Sequence, residues 1–310
     1  MVNLGKYKQV VIWGAKLFDG THSYIHYGIF RGLTKLGVPV QWMDSTDLEN
    51  MTFPSESIVI TEAQVEEALP LSTNNFYLLH SSASFKYQRA KVPHAWFKVL
   101  LPGKTLDDDG IPINGSLYYA SKTNPYFYMP WATDILSEEV LVNMLSLNTI
   151  RAMRNPKEVH YVGTIWDGIY GNYPEIIEFR SACYVAGIDY KMYQRLTMPQ
   201  TVSIIRSSLL APAIQGHWQI ENHYIPCRIM KNISYGHVGI TNSKSVYEYF
   251  DRHSSLLYEP NAALILEKGK SHSDKVSSSE MATLMDTIRH YHTYEHRMTA
   301  LLNWVNDEFG

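Results

Sequence analysis

The chain opens on a short apolar run, Val10-Val11-Ile12-Trp13, closed by Gly14. A run of that length ending in a turn residue predicts a strand buried on both faces. From Tyr24 the apolar residues switch to helical spacing, with Tyr27, Ile29, Phe30, Leu33 and Leu36 following and Gly37 as the C-cap. Val38 to Met43 predicts a second strand. Strand, loop, helix and strand in that order predict parallel pairing through a right-handed crossover. Apolar runs at Ser57 to Thr61 and Phe76 to Leu79 extend the same sheet. Residues 85 to 130 show neither period and are expected to be irregular, with hairpins around Asp109-Gly110 and Asn114-Gly115.

The pattern restarts at Glu158. Val159 to Val162, Ile188 to Tyr193, Leu209 to Ala213 and Leu256 to Tyr258 read as strands. Pro174 to Ala186, Thr201 to Ser207 and Ser245 to Arg252 read as helices between them. Ser277 to Ser279 can cap a helix over Glu280 to Tyr291, and Thr293 to Phe309 closes the chain as another. Two similar β/α halves predict an α/β fold of two Rossmann-like, doubly wound domains facing a central cleft. The expected boundaries are 1–135, 136–290, and a C-terminal helix at 291–310 that crosses back to the first domain.

Composition narrows the function classes. The chain has 310 residues, enough for two domains, and its 45% hydrophobic content predicts packed cores. A net charge of −3 leaves no basic field, so nucleic acid is not the favoured partner. Cys183 and Cys227 lie far apart and form neither a metal spacing nor a disulfide framework. With no signal-like or membrane-spanning segment, a cytoplasmic protein is expected. Gly14-Ala15-Lys16-Leu17-Phe18-Asp19-Gly20 is not Gly-x-Gly-x-x-Gly, which disfavours a nicotinamide site. Gly-x-Ser-x-Gly is absent, so a hydrolase is unsupported. Asp107-Asp108-Asp109 precedes Gly110-Ile111-Pro112 and reads as a solvated turn, and the histidines form no His-Glu-x-x-His array. No metal is expected.

The chemistry concentrates between Ile225 and Asn242. Arg228 and Lys231 fall three apart at an expected helix start and share a face. Backbone N–H groups there, beside an Arg and a Lys, suit a phosphate or diphosphate. Asn232, Ser234 and Gly236 suit a tight anion-binding turn. Gly163, Thr164 and Trp166 follow the strand Val159 to Val162, where backbone can approach phosphates or a base; Asp167 and Tyr170 belong to the same loop. Gly216, Trp218 and Glu221 lie just past Leu209 to Ala213, with an aromatic face for a base or sugar and a carboxylate for a hydroxyl. In the first half, Asp19, His22 and His26 follow the first strand. His22 suits a general base near neutral pH, with Asp19 orienting it. His80 ends the strand Phe76 to Leu79 and is a second base candidate.

Arg228-x-x-Lys231-x-x-x-x-Gly236, then Val238-Gly239-Ile240-Thr241, resembles the donor-site helix of GT-B glycosyltransferases. It is most similar to bacterial spore-maturation-type and exostosin-like enzymes. His292-Thr293-Tyr294-Glu295-His296-Arg297 resembles the His-Thr-Tyr-x-x-Arg motif that closes the spore-maturation type. Val162-Gly163-Thr164-Ile165-Trp166 looks like the first strand and loop of such a C-terminal domain. The likeness covers the C-terminal half, and the N-terminal half agrees in architecture. It implies a metal-independent hexosyl- or pentosyltransferase without a cofactor. A nucleotide-sugar donor would lie on 136–290, and a glycan or small-molecule acceptor on 1–135. Arg228 and Lys231 would stabilise the leaving diphosphate. Lys231 stands where the family carries an acid that holds the ribose. That contact then falls to Glu221 or Glu259, or the donor is bound differently. Two alternatives stay open: a phage-type DNA-base (hydroxymethylpyrimidine) glycosyltransferase and a non-catalytic nucleotide- or sugar-binding protein.

Overall fold

The computed structural model describes residues 2–14, 16, 21–62, 67–81, 85–100, 110–113, 118–121 and 126–310. The chain divides into two compact units. Unit 1 gathers the described residues up to Val99, those from 110 to 130, and Tyr294–Gly310; unit 2 is built on Trp131–Thr293.

Unit 1 contains β1 (Gln9–Trp13), α1 (Thr21–Lys35), β2 (Val40–Met43), β3 (Ser57–Glu62), β4 (Phe76–His80), α2 (Phe85–Arg89), β5 (His94–Lys98), β6 (Gly110–Ile113), β7 (Tyr118–Ser121) and β8 (Tyr126–Tyr128). They form one sheet in the order β2-β1-β3-β4-β5-β8-β7-β6. Pairing is parallel from β2 to β8 and antiparallel through β7 and β6. Val10, Val11, Ile12, Val59, Tyr77, Leu78 and Leu79 are sealed from solvent, as continuous apolar runs in a two-sided parallel sheet require. The expectation of an irregular 85 to 130 is corrected: the described part holds a helix and four strands. These elements are three to five residues long, too short to print a period. Asp109, and the Asn114-Gly115 turn expected between the antiparallel β6 and β7, lie outside the described residues.

Unit 2 contains α3 (Ser137–Leu145), α4 (Leu147–Ala152), β9 (Glu158–Val162), α5 (Tyr173–Val185), β10 (Asp189–Tyr193), α6 (Met198–Ser207), α7 (His217–Glu221), α8 (Cys227–Ser234), β11 (Gly239–Thr241), α9 (Lys244–Tyr249), β12 (Leu256–Tyr258), α10 (Ile265–Lys275) and α11 (Ser278–Tyr291). β9 pairs with β10 and β11 with β12, both in parallel. The strand expected at Leu209 to Ala213 does not form a ladder. Instead Leu209 N–H donates to Glu158 O (2.8 Å) and Ala213 N–H to Ile240 O (2.8 Å), so the segment links β9 to β11. Pro212 has no N–H to continue a ladder, and the Ala211 carbonyl accepts from the Asn232 side chain instead. Ser277 caps α11 as its sequence predicts: its hydroxyl accepts from Glu280 N–H (3.2 Å), and Glu280 accepts from Ser277 N–H (2.8 Å).

The last helix, α12 (Tyr294–Phe309), returns to unit 1. Gly32 of α1 lets it in: a Cβ there would stand 2.9 Å from the Tyr294 backbone. Arg297 is fully buried and donates from Nε to Pro130 O (2.9 Å). No helix among the described residues is long and apolar enough to cross a membrane.

Two buried histidines tie stability to pH. His237 in unit 2 is inaccessible, with Nε2 2.7 Å from Ile205 O. Burial, then the Arg154 charge, pushes it down to about 3. In unit 1, burial and then the His22 charge push His80 down to about 4. Both stay neutral in the folded chain while an unfolded chain takes up protons below its ordinary value of about 6.5. Stability is therefore lost as pH falls from about 6.5 towards the folded values, at up to about 1.4 kcal/mol per pH unit for each histidine. Urea midpoints should drop between pH 7 and pH 5. His237→Gln should flatten that drop for unit 2, and a midpoint indifferent to pH would contradict the assignment.

Candidate functional site

The face of α8 that meets the core carries Ile229, Met230 and Ile233, all sealed from solvent. Arg228 and Lys231 stay half-buried on its other side, as their spacing predicts. The Arg228 guanidinium lies over the Tyr161 ring, 4.0 Å from its centroid. It also packs on Gly163, where a Cβ would stand 2.5 Å from Nη2. Gly163 has φ +130°, in the region that favours glycine, so this residue both turns the chain out of β9 and admits the guanidinium. Arg228 has no carboxylate at ion-pair distance among the described residues.

Lys231 differs. Its Nζ is 2.8 Å from Asp134 Oδ2, and the Tyr235 hydroxyl donates to the other oxygen of the same carboxylate. Asp134 is 4% exposed. Burial opposes the ammonium, but the charge and hydrogen bond of Asp134, together with nearby Cys227, outweigh it and raise the Lys231 pKa. The lysine charge is thus balanced within the unit, and the arginine charge is the one an oxyanion can use.

The loop after β9 is pinned against residues 214–216. Asn172 Nδ2 donates to Ile214 O (3.1 Å), and a Cβ on Gly216 would stand 1.7 Å from Gly171 O. Thr164 is exposed on this loop. Trp166 and Tyr170 are 57% and 61% exposed, and Trp218 meets Tyr170 edge-on at 4.9 Å. Together they form an aromatic rim at the carboxyl end of β9. Asp167 is exposed and accepts from Gly168 N–H.

Three residues of the expected anion turn face inward instead. Asn232 donates to Ala211 O (2.7 Å), Ser234 Oγ lies 2.8 Å from Thr133 Oγ1, and Gly236, with φ +106°, closes on Ile150. They fix the C-terminal end of α8, where the helix dipole disfavours anions. Glu221 is exposed and pairs with His217 one turn away (3.0 Å). Glu259 is buried, bonded to Lys268, and accepts from Asn261 N–H (2.9 Å).

In unit 1 the carboxyl ends of β1, β3 and β4 lie side by side, with Trp13 opposite Thr61 and Glu62 opposite His80. His22, from the first turn of α1, brings Nδ1 to 2.7 Å from Glu62 Oε2. Glu62 is 3% exposed. Burial would raise its pKa, but the imidazoles around it, His22 first and then His26 and His80, together outweigh that and hold it below the usual carboxylate range. The His80 ring is 5.7 Å from that of His22 and stacks on Phe97 at 5.0 Å. His26 is buried, 6.5 Å from His22. Asp19, the expected orienting acid, lies outside the described residues. The carboxylate on His22 is Glu62, which the sequence reading missed; its signal was an acid at the carboxyl end of an apolar parallel strand. A carboxylate at Nδ1 fixes the imidazole so that Nε2 can take a proton.

Among the described residues no three His, Cys, Asp or Glu side chains gather as a metal site. A groove of about 680 Å³ between α5 and α10 is lined by none of the candidate site residues.

No family model matches the chain, and neither does any curated protein. Solved structures match in fold. One is alpha-glucosyltransferase in complex with UDP and a 13-mer DNA containing a HMU base, with TM-score 0.62 and 10% identity, covering 96% of this chain and 99% of that one. Another is alpha-glucosyltransferase in complex with UDP and a 13-mer DNA containing a central A:G mismatch, with TM-score 0.53 and 10% identity over 95% of each chain. At this identity the likeness is one of fold. The chain is α/β with two Rossmann-like domains of the GT-B type.

Proposed function

We propose that the protein is a glycosyltransferase that moves a sugar from a nucleotide-sugar donor to an acceptor hydroxyl. One observation carries this most: Arg228 is an unbalanced guanidinium held on a glycine at the carboxyl end of β9, where ligands of open α/β sheets bind. The donor diphosphate would lie against Arg228 and Gly163, with Lys231 beside it. The rim of Trp166, Tyr170 and Trp218 offers flat faces to the base or sugar. The acceptor is assigned to unit 1, where His22 and Glu62 form the base. The acceptor oxygen bonds to the anomeric carbon as its proton passes to His22 Nε2. The sugar–phosphate bond breaks, and its electron pair leaves on the diphosphate, which Arg228 stabilises. Neither a metal nor a resident cofactor enters this scheme. A reducing cytoplasm suits the free thiols Cys183 and Cys227.

A thermal-shift panel of UDP-, GDP-, dTDP- and CMP-sugars tests the proposal. One donor should raise the melting temperature, by an amount corresponding to about 2.7 kcal/mol at a hundred times its Kd. Sugar release with a glycan acceptor, a small-molecule acceptor or duplex DNA carrying hydroxymethyluracil then identifies the acceptor. The DNA arm is included because both fold neighbours hold DNA. A shift without turnover on any acceptor would favour a binding protein, and no shift with any donor would sink the proposal.

A further inference from the structure

A second cationic site stands apart from Arg228. A pocket of about 240 Å³ lies between α4 with its following turn and α10, lined by Arg151, Arg154, Lys270, Ser273 and Asp274 over an apolar floor of Leu209 and Leu210. It is smaller than the cavities that hold drug-sized ligands. It sits at the amino end of β9, beside Pro156, whereas Gly163 follows the carboxyl end. Five residues of strand separate them, roughly 15 Å.

Both guanidinia are held in place before any ligand arrives. Arg151 donates from Nη1 to Val276 O (2.8 Å) and from Nη2 to Ser273 O (3.0 Å). Arg154 donates from Nη1 to Ser273 Oγ (2.9 Å) and from Nη2 to Gly236 O (2.9 Å). All four acceptors are neutral, and neither arginine has a carboxylate at ion-pair distance among the described residues. Arg154 Nε is buried and has no hydrogen-bond acceptor there. Burial, then the charge of Arg151, lowers the Arg154 pKa to about 10, with the charge of Asp274 opposing. Lys270 is exposed and adds a third cation, while exposed Asp274 is the one acid on the lining. Capping carbonyls accounts for the four Nη bonds. It does not account for an unanswered Nε–H, two adjacent unneutralised guanidinia and a lysine around one small cavity.

We propose that this pocket is a second site, for a small oxyanion such as free phosphate or the phosphate of a phosphorylated sugar. The anion would balance the mutual repulsion of the arginines and accept charge-assisted hydrogen bonds.

The test uses the full chain carrying Arg228→Ala, which silences the proposed donor site, with inorganic phosphate as the probe in calorimetry. Chloride at equal ionic strength controls for screening. The expected result is saturable phosphate binding that survives Arg228→Ala and weakens roughly tenfold on adding Lys270→Glu, an exposed change that leaves the fold intact. Arg151→Gln should act in the same direction. Glucose 1-phosphate binding more tightly than phosphate would identify the phosphorylated sugar as the ligand; equal or weaker binding would identify the free ion. Loss of all phosphate binding in Arg228→Ala, or unchanged affinity in Lys270→Glu, would overturn the proposal.

Discussion

Arg228→Ala is expected to weaken donor binding by about a hundredfold or more while the chain stays folded. A charge-assisted, two-pronged contact to a diphosphate contributes about 1.5–3 kcal/mol per hydrogen bond, so losing it costs at least two powers of ten in affinity. The structural cost is smaller. The side chain's packing partners are the Tyr161 face and Gly163, and a cation–π contact of this kind contributes about 1 kcal/mol. Arg228→Lys should recover little, because a point charge matches neither the planar stack nor the forked geometry. Lys231→Ala should behave differently. Its charge is already balanced by Asp134, so donor affinity falls less, but the buried Asp134 loses the Lys231 ammonium and stability falls. Calorimetry with the preferred nucleoside diphosphate, set beside urea unfolding of the same variants, separates the two effects. Unchanged affinity in Arg228→Ala would remove the residue from the donor site.

His22→Ala is expected to lower turnover by about 10²–10⁴-fold, the usual contribution of a positioned general base, with donor affinity retained. The proposed donor residues belong to unit 2 and His22 to unit 1, so replacing His22 is expected to leave the diphosphate site as it was. Glu62→Gln should also be slow: the imidazole keeps a neutral partner at Nδ1 but loses the charge that stabilises its protonated form. His80→Gln should cost much less, because burial holds His80 near 4 and keeps it from gaining a proton at neutral pH. Rates with saturating donor, measured alongside donor binding, decide the matter. If His22→Ala turns over within a few-fold of the parent chain, the base lies elsewhere, or the enzyme retains configuration and uses none.

Much of this organisation is legible in the chain itself. Val10 to Trp13 and Phe76 to Leu79 show their strands because every residue in them is buried. The spacing of Arg228 and Lys231 places both cations on one face of α8. Ser277 and Glu280 write the cap of α11. In each case the signal is local, since the backbone period or a reach of three residues settles the outcome. The missed strands of residues 85 to 130 are too short to carry a period. The false strand at Leu209 to Ala213 has strand-like residues, but Pro212 and the side chain of Asn232 interrupt its ladder.

The partners of the chemical groups were not legible. Glu62 reaches His22 because β1, β3 and β4 end in register, and Asp134 reaches Lys231 because the chain entering unit 2 packs beside α8. The sequence by itself determined two β/α halves, a cation pair on one helix face and a histidine at the start of α1. Only the tertiary structure decided that Arg228 is the unbalanced cation, that Glu62 holds the histidine, and that Asn232, Ser234 and Gly236 serve packing. Periodicity reports which side of an element meets the core. The charge and proton state of a group depend on whichever distant residue folding brings within about 3 Å.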